Sequence, residues 1–346
     1  MKKIIEVSES LRGLWNRSVK SYSFSTAYHL WEFSESIEKT YGYTPLRFAL
    51  TEDGAETFFA TVTLFLFAPI PIKTEFVSIP FCDYGGIVSA DTESSHALLT
   101  FILQKFKSHP IILRQLSELS ASENDCSCSR EKVRMVAQLE VNEELQFKKF
   151  TDKLRAQIRR PTKDGYTSKS GGIELLDDFY RVFVYNMRSL GSPVHSKKLM
   201  QTILATMPTI AQLFVVYSPK GEPAACSMAI GCRDTLTNPW ASSDRRHQKS
   251  APNMLLYWEM IRYAIGAGYC RFDFGRSTEG EGTYRFKTQW GAAPEPMFWY
   301  QFPRIEKPEI TNKESWKKAL FIKVWQRLPL KLTCIIGPQI RRLIHL

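Results

Sequence analysis

The chain has 346 residues, 44% of them hydrophobic and 13% aromatic, enough for one large or two ordinary domains with real cores. A formal net charge of +11 points to polyanionic company (cofactor phosphates, tRNA or an acidic membrane surface) or simply to a basic soluble protein. Seven cysteines without a CxxC pair and only six histidines argue against a zinc site and for buried thiols in a reducing cytoplasm, so no metal is expected. No run approaches the roughly eighteen apolar residues of a transmembrane helix. Met1-Lys2-Lys3 runs through Ile4-Ile5 straight into Glu6, which leaves no apolar signal-peptide core. The expected location is cytoplasmic.

In chain order, Lys3 to Val7 reads as a strand and Ser25 to Tyr41 contains a helix closed by Gly42. Leu46 to Leu50 and Phe58 to Phe67 form a hairpin across Glu52-Asp53-Gly54, ended by Pro69 and Pro71; Lys73 to Ile79 is the next strand. Pro80-Phe81-Cys82-Asp83-Tyr84-Gly85-Gly86 is too aromatic and glycine-rich for an ordinary linker; it is either a cleft wall or a tight turn that needs two glycines. Ser94 to Phe106 is an amphipathic helix, and Ile111 to Leu116 and Val133 to Leu139 are strands. The polar stretch from Ser117 to Arg130 reads as a mobile loop, with Cys126 and Cys128 incidental in it.

From Glu144 the character changes. Phe147, Phe150, Leu154 and Ile158 recur at helical spacing in a strongly basic run that Pro161 is expected to stop. Leu176 opens a helix with Phe179, Phe183, Met187 and Leu190 on one face, and Lys197 to Thr206 is another. Leu213 to Tyr217 and Ala224 to Gly231 form a hairpin, Leu236 to Ser242 a strand, and Pro252 to Ile265 a long helix. The turn into that helix carries Arg245, Arg246 and Lys249; a helix start offers free N–H groups and a positive dipole end, a natural seat for an anion. Tyr269 to Phe274 is a short buried strand ended by Gly275, Tyr284 to Trp290 a helix closed by Gly291, and Met297 to Phe302 the last strand. Asp273, Arg276, Tyr284, Arg285 and Lys287 thus gather around a strand end, where open sheets commonly hold ligands. An Asp273–Arg276 pair tying loop to helix is the plainer alternative. After Pro303 the tail is distinct: from Ser315 to Leu346 there is no Asp or Glu against seven Lys or Arg, interleaved with Leu320, Phe321, Val324 and Trp325. It fits either an anionic membrane surface or docking back onto the protein.

Phe272-Asp-Phe-Gly-Arg-Ser277, followed by Gly282-Thr-Tyr284-Arg-Phe-Lys287 and Trp290-Gly291, resembles the signature of FemAB-related proteins. Closest is the set associated with PEP-CTERM/exosortase and exopolysaccharide gene clusters, within the GNAT-like acyltransferase superfamily; the BioF-like acetyltransferase domain is another name for the unit. The loop Pro80 to Gly86, the basic segment Leu154 to Gly165 and Asn186 to Pro193 also match, so the likeness runs from Ser25 to Phe302. The resemblance implies an α/β (α+β) fold of tandem GNAT-like domains, each a mixed, mainly antiparallel sheet flanked by helices. The expected divisions are 1–143, 144–304 and a basic amphipathic tail, 305–346.

The same resemblance implies transfer of an acyl or aminoacyl group to an amine of a cell-envelope, peptidoglycan-type or exopolysaccharide precursor. Lys287 matches the lysine placed beside the reacting carbonyl; Arg276, Asp273 and Tyr284 complete the candidate catalytic group. Arg245, Arg246, Lys249 and Asn253, with Arg159 and Arg160, are the candidate donor-phosphate group. Asp83, Tyr84, Tyr180, Arg188, Trp240, Ser242 and Tyr257 are the candidate acceptor residues. The Gln/Arg-x-x-Gly-x-Gly/Ala loop of acetyl-CoA users is missing, so acyl-CoA or aminoacyl-tRNA is expected as donor substrate, with no tightly bound cofactor. His195, in a loop after Pro193, is a further candidate general base. Two other readings stay open: a non-catalytic scaffold that binds a lipid-linked saccharide, and a tRNA-binding module resting on net charge alone.

Overall fold

The computed structural model describes residues 1–68, 74–122, 124–304 and 312–345. Pro69, Pro71, Lys73 and the start of the tail, 305–311, lie outside the described residues. In order the elements are β1 (Lys3–Glu6), α1 (Arg12–Ser21), α2 (Trp31–Tyr41), β2 (Pro45–Thr51), β3 (Ala60–Phe67), β4 (Glu75–Ser78), β5 (Val88–Ser89), α3 (Thr92–Lys105), β6 (Ile111–Gln115), β7 (Ser127–Ser129) and β8 (Lys132–Gln138). They continue as α4 (Glu143–Lys149), α5 (Asp152–Lys163), β9 (Thr167–Gly171), α6 (Leu176–Ser189), α7 (Lys197–Thr206), β10 (Ala211–Tyr217), β11 (Pro223–Cys232), β12 (Thr235–Ser243) and α8 (Pro252–Gly266). The last are β13 (Arg271–Thr278), α9 (Gly282–Thr288), β14 (Ala293–Pro296), β15 (Phe298–Phe302), α10 (Asn312–Arg327) and α11 (Leu330–Arg341).

Two mixed, mainly antiparallel sheets form, ordered β1-β2-β3-β4-β6-β15-β7 (with β5 on β3) and β14-β8-β13-β12-β11-β10-β9. Each contains one parallel pair, β4 with β6 and β12 with β13. This is the tandem architecture expected. The strands do not segregate at 143/144, however: β8 precedes that point yet pairs with β13 and β14, while β15 returns to pair with β6 and β7. The exchange welds the halves, and one apolar cluster draws Trp15, Phe33 and Phe65 from the first and Phe179, Val215 and Met228 from the second. α6 shows how sequence makes this packing: Phe179, Val182 and Phe183 fall on one helical face and are all buried. Each such side chain stabilises the fold by about 1.5–3 kcal/mol.

Several local expectations are corrected. Pro161 does not stop the helix: it lies inside α5, in its last turn, and the helix ends two residues later. The basic run from Glu144 is two helices, because Phe150 is extended and Thr151 starts α5 by capping the Leu154 N–H. Within the polar stretch from Ser117, Ser127–Ser129 pairs with β15 and Cys126 is buried. Gly275 does not end its strand: at φ +73° it sits in an irregularity of the β13–β8 register, and β13 runs on to Thr278. The tail docks back: Trp325 is buried, Arg188 Nη1 donates to the Leu328 carbonyl (3.1 Å), and α11 lies on α6. No helix among the described residues is long and apolar enough to cross a membrane.

Candidate active site

The site grows from the parallel pair. β12 and β13 are in register only over Thr235–Thr237 and Arg271–Asp273, and beyond that they part. Asn238, Trp240 and Ser242 follow on one strand, Gly275 and Arg276 on the other. Loop 80–86 of the first half closes on this opening. A Cβ built on Gly275 would lie 3.6 Å from the Asn238 carbonyl oxygen and 3.8 Å from Asp83 Oδ2. The tight-turn reading of the loop holds. The Gly85 and Gly86 N–H groups donate to the Arg114 carbonyl (3.1 and 2.9 Å), and a Cβ on Gly86 would stand 2.9 Å from that oxygen. The glycines are a steric need, and they hold Asp83 at the opening.

Asp273 is fully buried and completely engaged. It accepts from Arg134 Nε (2.8 Å), the Gly275 N–H (2.8 Å) and the Tyr84 hydroxyl. Burial works against the charge of Arg134, but Asp273, with Tyr84 and Glu295, outweighs it and holds the guanidinium protonated. The Asp273–Arg276 pair is not made; Arg276 Nε faces Asp83 Oδ1 at 3.2 Å, and its guanidinium lies 5.6 Å from the Trp299 ring centre. Trp299 fixes the loop from behind by donating Nε1–H to the Asp83 carbonyl (3.1 Å).

Lys287 comes from α9 into this group with 8% of its surface exposed. Its Nζ donates to the carbonyls of Arg276 (2.6 Å) and Gly275 (3.2 Å), which leaves one N–H of three uncommitted among the described residues. Burial pulls it down to about 8, against the pull of Asp273 and Asp83. Tyr284, one turn earlier, is half-buried and packs with the Phe274–Trp290 cluster.

Among the candidate donor residues, Arg246 is tied to Asp244 by three bonds of 2.5–3.1 Å and lies over Tyr185, while Arg245 and Lys249 are exposed. Asn253 is half-buried in the first turn of α8. Arg159 covers the Phe147 ring and lines a groove of about 570 Å³ with Leu255, Trp258 and Arg262; Arg160 faces Asp164 at 3.9 Å.

Several candidate acceptor residues are spent on structure. Tyr84 is buried against Asp273, Tyr180 donates to the His195 carbonyl (2.9 Å), Arg188 holds the tail, and Ser242 accepts from Asn186 (3.0 Å). Tyr257 stacks on Phe274, and burial raises its hydroxyl to about 12. Trp240 is partly exposed beside His195. His195 itself is no general base: it is buried, bonded at Nδ1 to Tyr41 and at Nε2 to Arg341 (3.0 Å), and burial with that guanidinium keeps it neutral.

Sequence reasoning missed Arg114, Arg134, Trp299 and Arg341. The signal for the first two was there: a single arginine inside the apolar strands Ile111–Leu116 and Val133–Leu139 has to find a buried partner.

Residues 148–288, which span this site apart from its first-half loop, β8 and Trp299, match the family described as acetyltransferase (GNAT) domain. The whole chain carries the fold further. The crystal structure of FemX superposes with a TM-score of 0.65 at 14% identity, covering 86% of this chain and 96% of that one. L-PGS from Bacillus licheniformis gives 0.54 at 13%, covering 86% and 97%. A tandem GNAT protein from the clavulanic acid biosynthesis pathway gives 0.51 at 9%, covering 87% and 98%. At such identities the likeness is one of fold. No curated protein matched the sequence.

Proposed function

We propose that the protein is an acyl- or aminoacyltransferase that moves its group from acyl-CoA or aminoacyl-tRNA to an amine of a cell-envelope or exopolysaccharide precursor. The observation that supports this most is the parting of β12 and β13 beside a buried lysine with one free N–H. The donor carbonyl enters the opening and the acceptor amine attacks it, forming the N–C bond. Negative charge moves to the carbonyl oxygen, where Lys287 meets it. Collapse breaks the bond to the carrier sulfur or ester oxygen, which takes up the proton that Asp83 has drawn from the amine and leaves as thiol or hydroxyl. Asp83, partly open to solvent and steadied by Arg276, takes the amine's proton; Asp273, with both oxygens engaged, holds Arg134 and the Gly275 turn. Arg245 and Lys249 at the start of α8 are the groups for donor phosphates.

The test is carrier discharge in the presence of an amine, read as free CoA thiol or deacylated tRNA, for wild type and Lys287→Met. Losing one such donor slows the reaction by about 10²- to 10³-fold. Discharge at equal rates in both proteins sinks the assignment and favours a binding scaffold.

A further inference from the structure

α10 and α11 present one face to the protein and leave another bare. Inward, Trp325 and Thr333 are buried, Ile322 sits against Gly191, and Gly337 approaches Val194. Outward, Trp316, Leu320, Phe321 and Val324 follow one another at helical spacing, and Leu330, Leu332 and Ile335 continue on α11, with Ile344 beyond. Fifteen large apolar side chains are exposed among the described residues, and eight of them lie on this one segment. So concentrated a patch marks an interaction surface rather than ordinary scatter.

Its charge says what kind. Lys323, Arg327, Lys331 and Arg342 are all exposed around the apolar stripe, and residues 315–346 contain no carboxylate side chain to balance them. A stripe bearing Trp and flanked by these cations complements a surface of phosphate headgroups over hydrocarbon. We propose that the outer face of α10–α11 docks on an anionic lipid surface, lying in its plane. The other end of the same segment reaches the candidate active site: the His345 carbonyl accepts from the Phe81 N–H (2.8 Å), and Arg341 holds His195. The segment that docks is thus tied directly to the loop that carries Asp83. The docking itself is independent of the transfer chemistry, and it is read without any donor.

The test sediments the full-length protein with vesicles of phosphatidylcholine alone or with phosphatidylglycerol, at low and high salt, alongside light scattering for mass. Binding is expected to the anionic vesicles only, and to weaken with salt. Leu320→Glu with Phe321→Glu weakens it by at least about tenfold, whereas Phe24→Glu, an exposed apolar side chain of another segment, leaves it unchanged. Circular dichroism checks folding; should the glutamates unfold the tail, Lys323→Gln with Arg327→Gln decides, by lowering both binding and its salt dependence. No binding to anionic vesicles overturns the proposal, as does equal binding by the variants. So does a dimer that dissociates in the glutamate variant, which would mean that a second copy covers this face.

Discussion

Replacing Lys287 with methionine separates catalysis from folding. In the folded protein burial lowers the ammonium from 10.5 to about 8, a shift worth about 3 kcal/mol against the charged form. Methionine is apolar and of similar length, so it removes that cost at pH 7. It also leaves the Gly275 and Arg276 carbonyls without a donor, at roughly 1–3 kcal/mol each. The two effects largely offset each other, and the variant should unfold in urea within about 3 kcal/mol of wild type. Between pH 8 and 10.5 the unfolded chain holds the proton that the folded chain has lost. Wild-type stability therefore gains a rising contribution across that window, and the variant lacks it. Carrier discharge has the opposite sign. It needs the ammonium, so wild-type kcat/KM should fall as pH rises through about 8. Rate profiles and urea titrations of both proteins check this. A rate that climbs through pH 8 would make Lys287 a base, and near-wild-type turnover in the variant would refute the role altogether.

Asp273→Ala leaves Arg134 buried without its main partner and should cost roughly 3–5 kcal/mol by urea titration; a loss under about 1 kcal/mol would show that Glu295 suffices. His29, buried and held neutral down to about 4 by burial, adds stability at neutral pH that begins to fade as pH falls below its usual 6.5 and is spent near pH 4. His29→Gln should flatten the acid limb of a Tm-against-pH curve, and an unchanged limb would place the acid sensitivity elsewhere.

Elements whose side-chain period answers to one buried face were legible in the sequence: α6 through Phe179 and Phe183, α8 through Leu255 and Ile261, and the β10–β11 hairpin through its apolar run. β9 was not, because Thr167–Gly171 is a polar edge strand with no apolar alternation to announce it. Nor was the exchange of β8 and β15, which depends on pairing between distant segments. The site shows the same limit. Asp273 and Arg276 are near enough in sequence to suggest a pair, but three residues along a strand span about 10 Å. Their true partners, Arg134 and Asp83, come from other strands and loops. Who holds whom was fixed by tertiary packing, which the sequence does not display.

The most direct test of the transfer reading is the melting temperature of the protein against acyl-CoAs of increasing chain length and a set of aminoacyl-tRNAs. A donor that binds only the folded state raises Tm by mass action, by several degrees at saturation. The account predicts a rise with one of these two classes, diminished in Arg245→Ala with Lys249→Ala. No rise with either class, or one indifferent to those two residues, would contradict it.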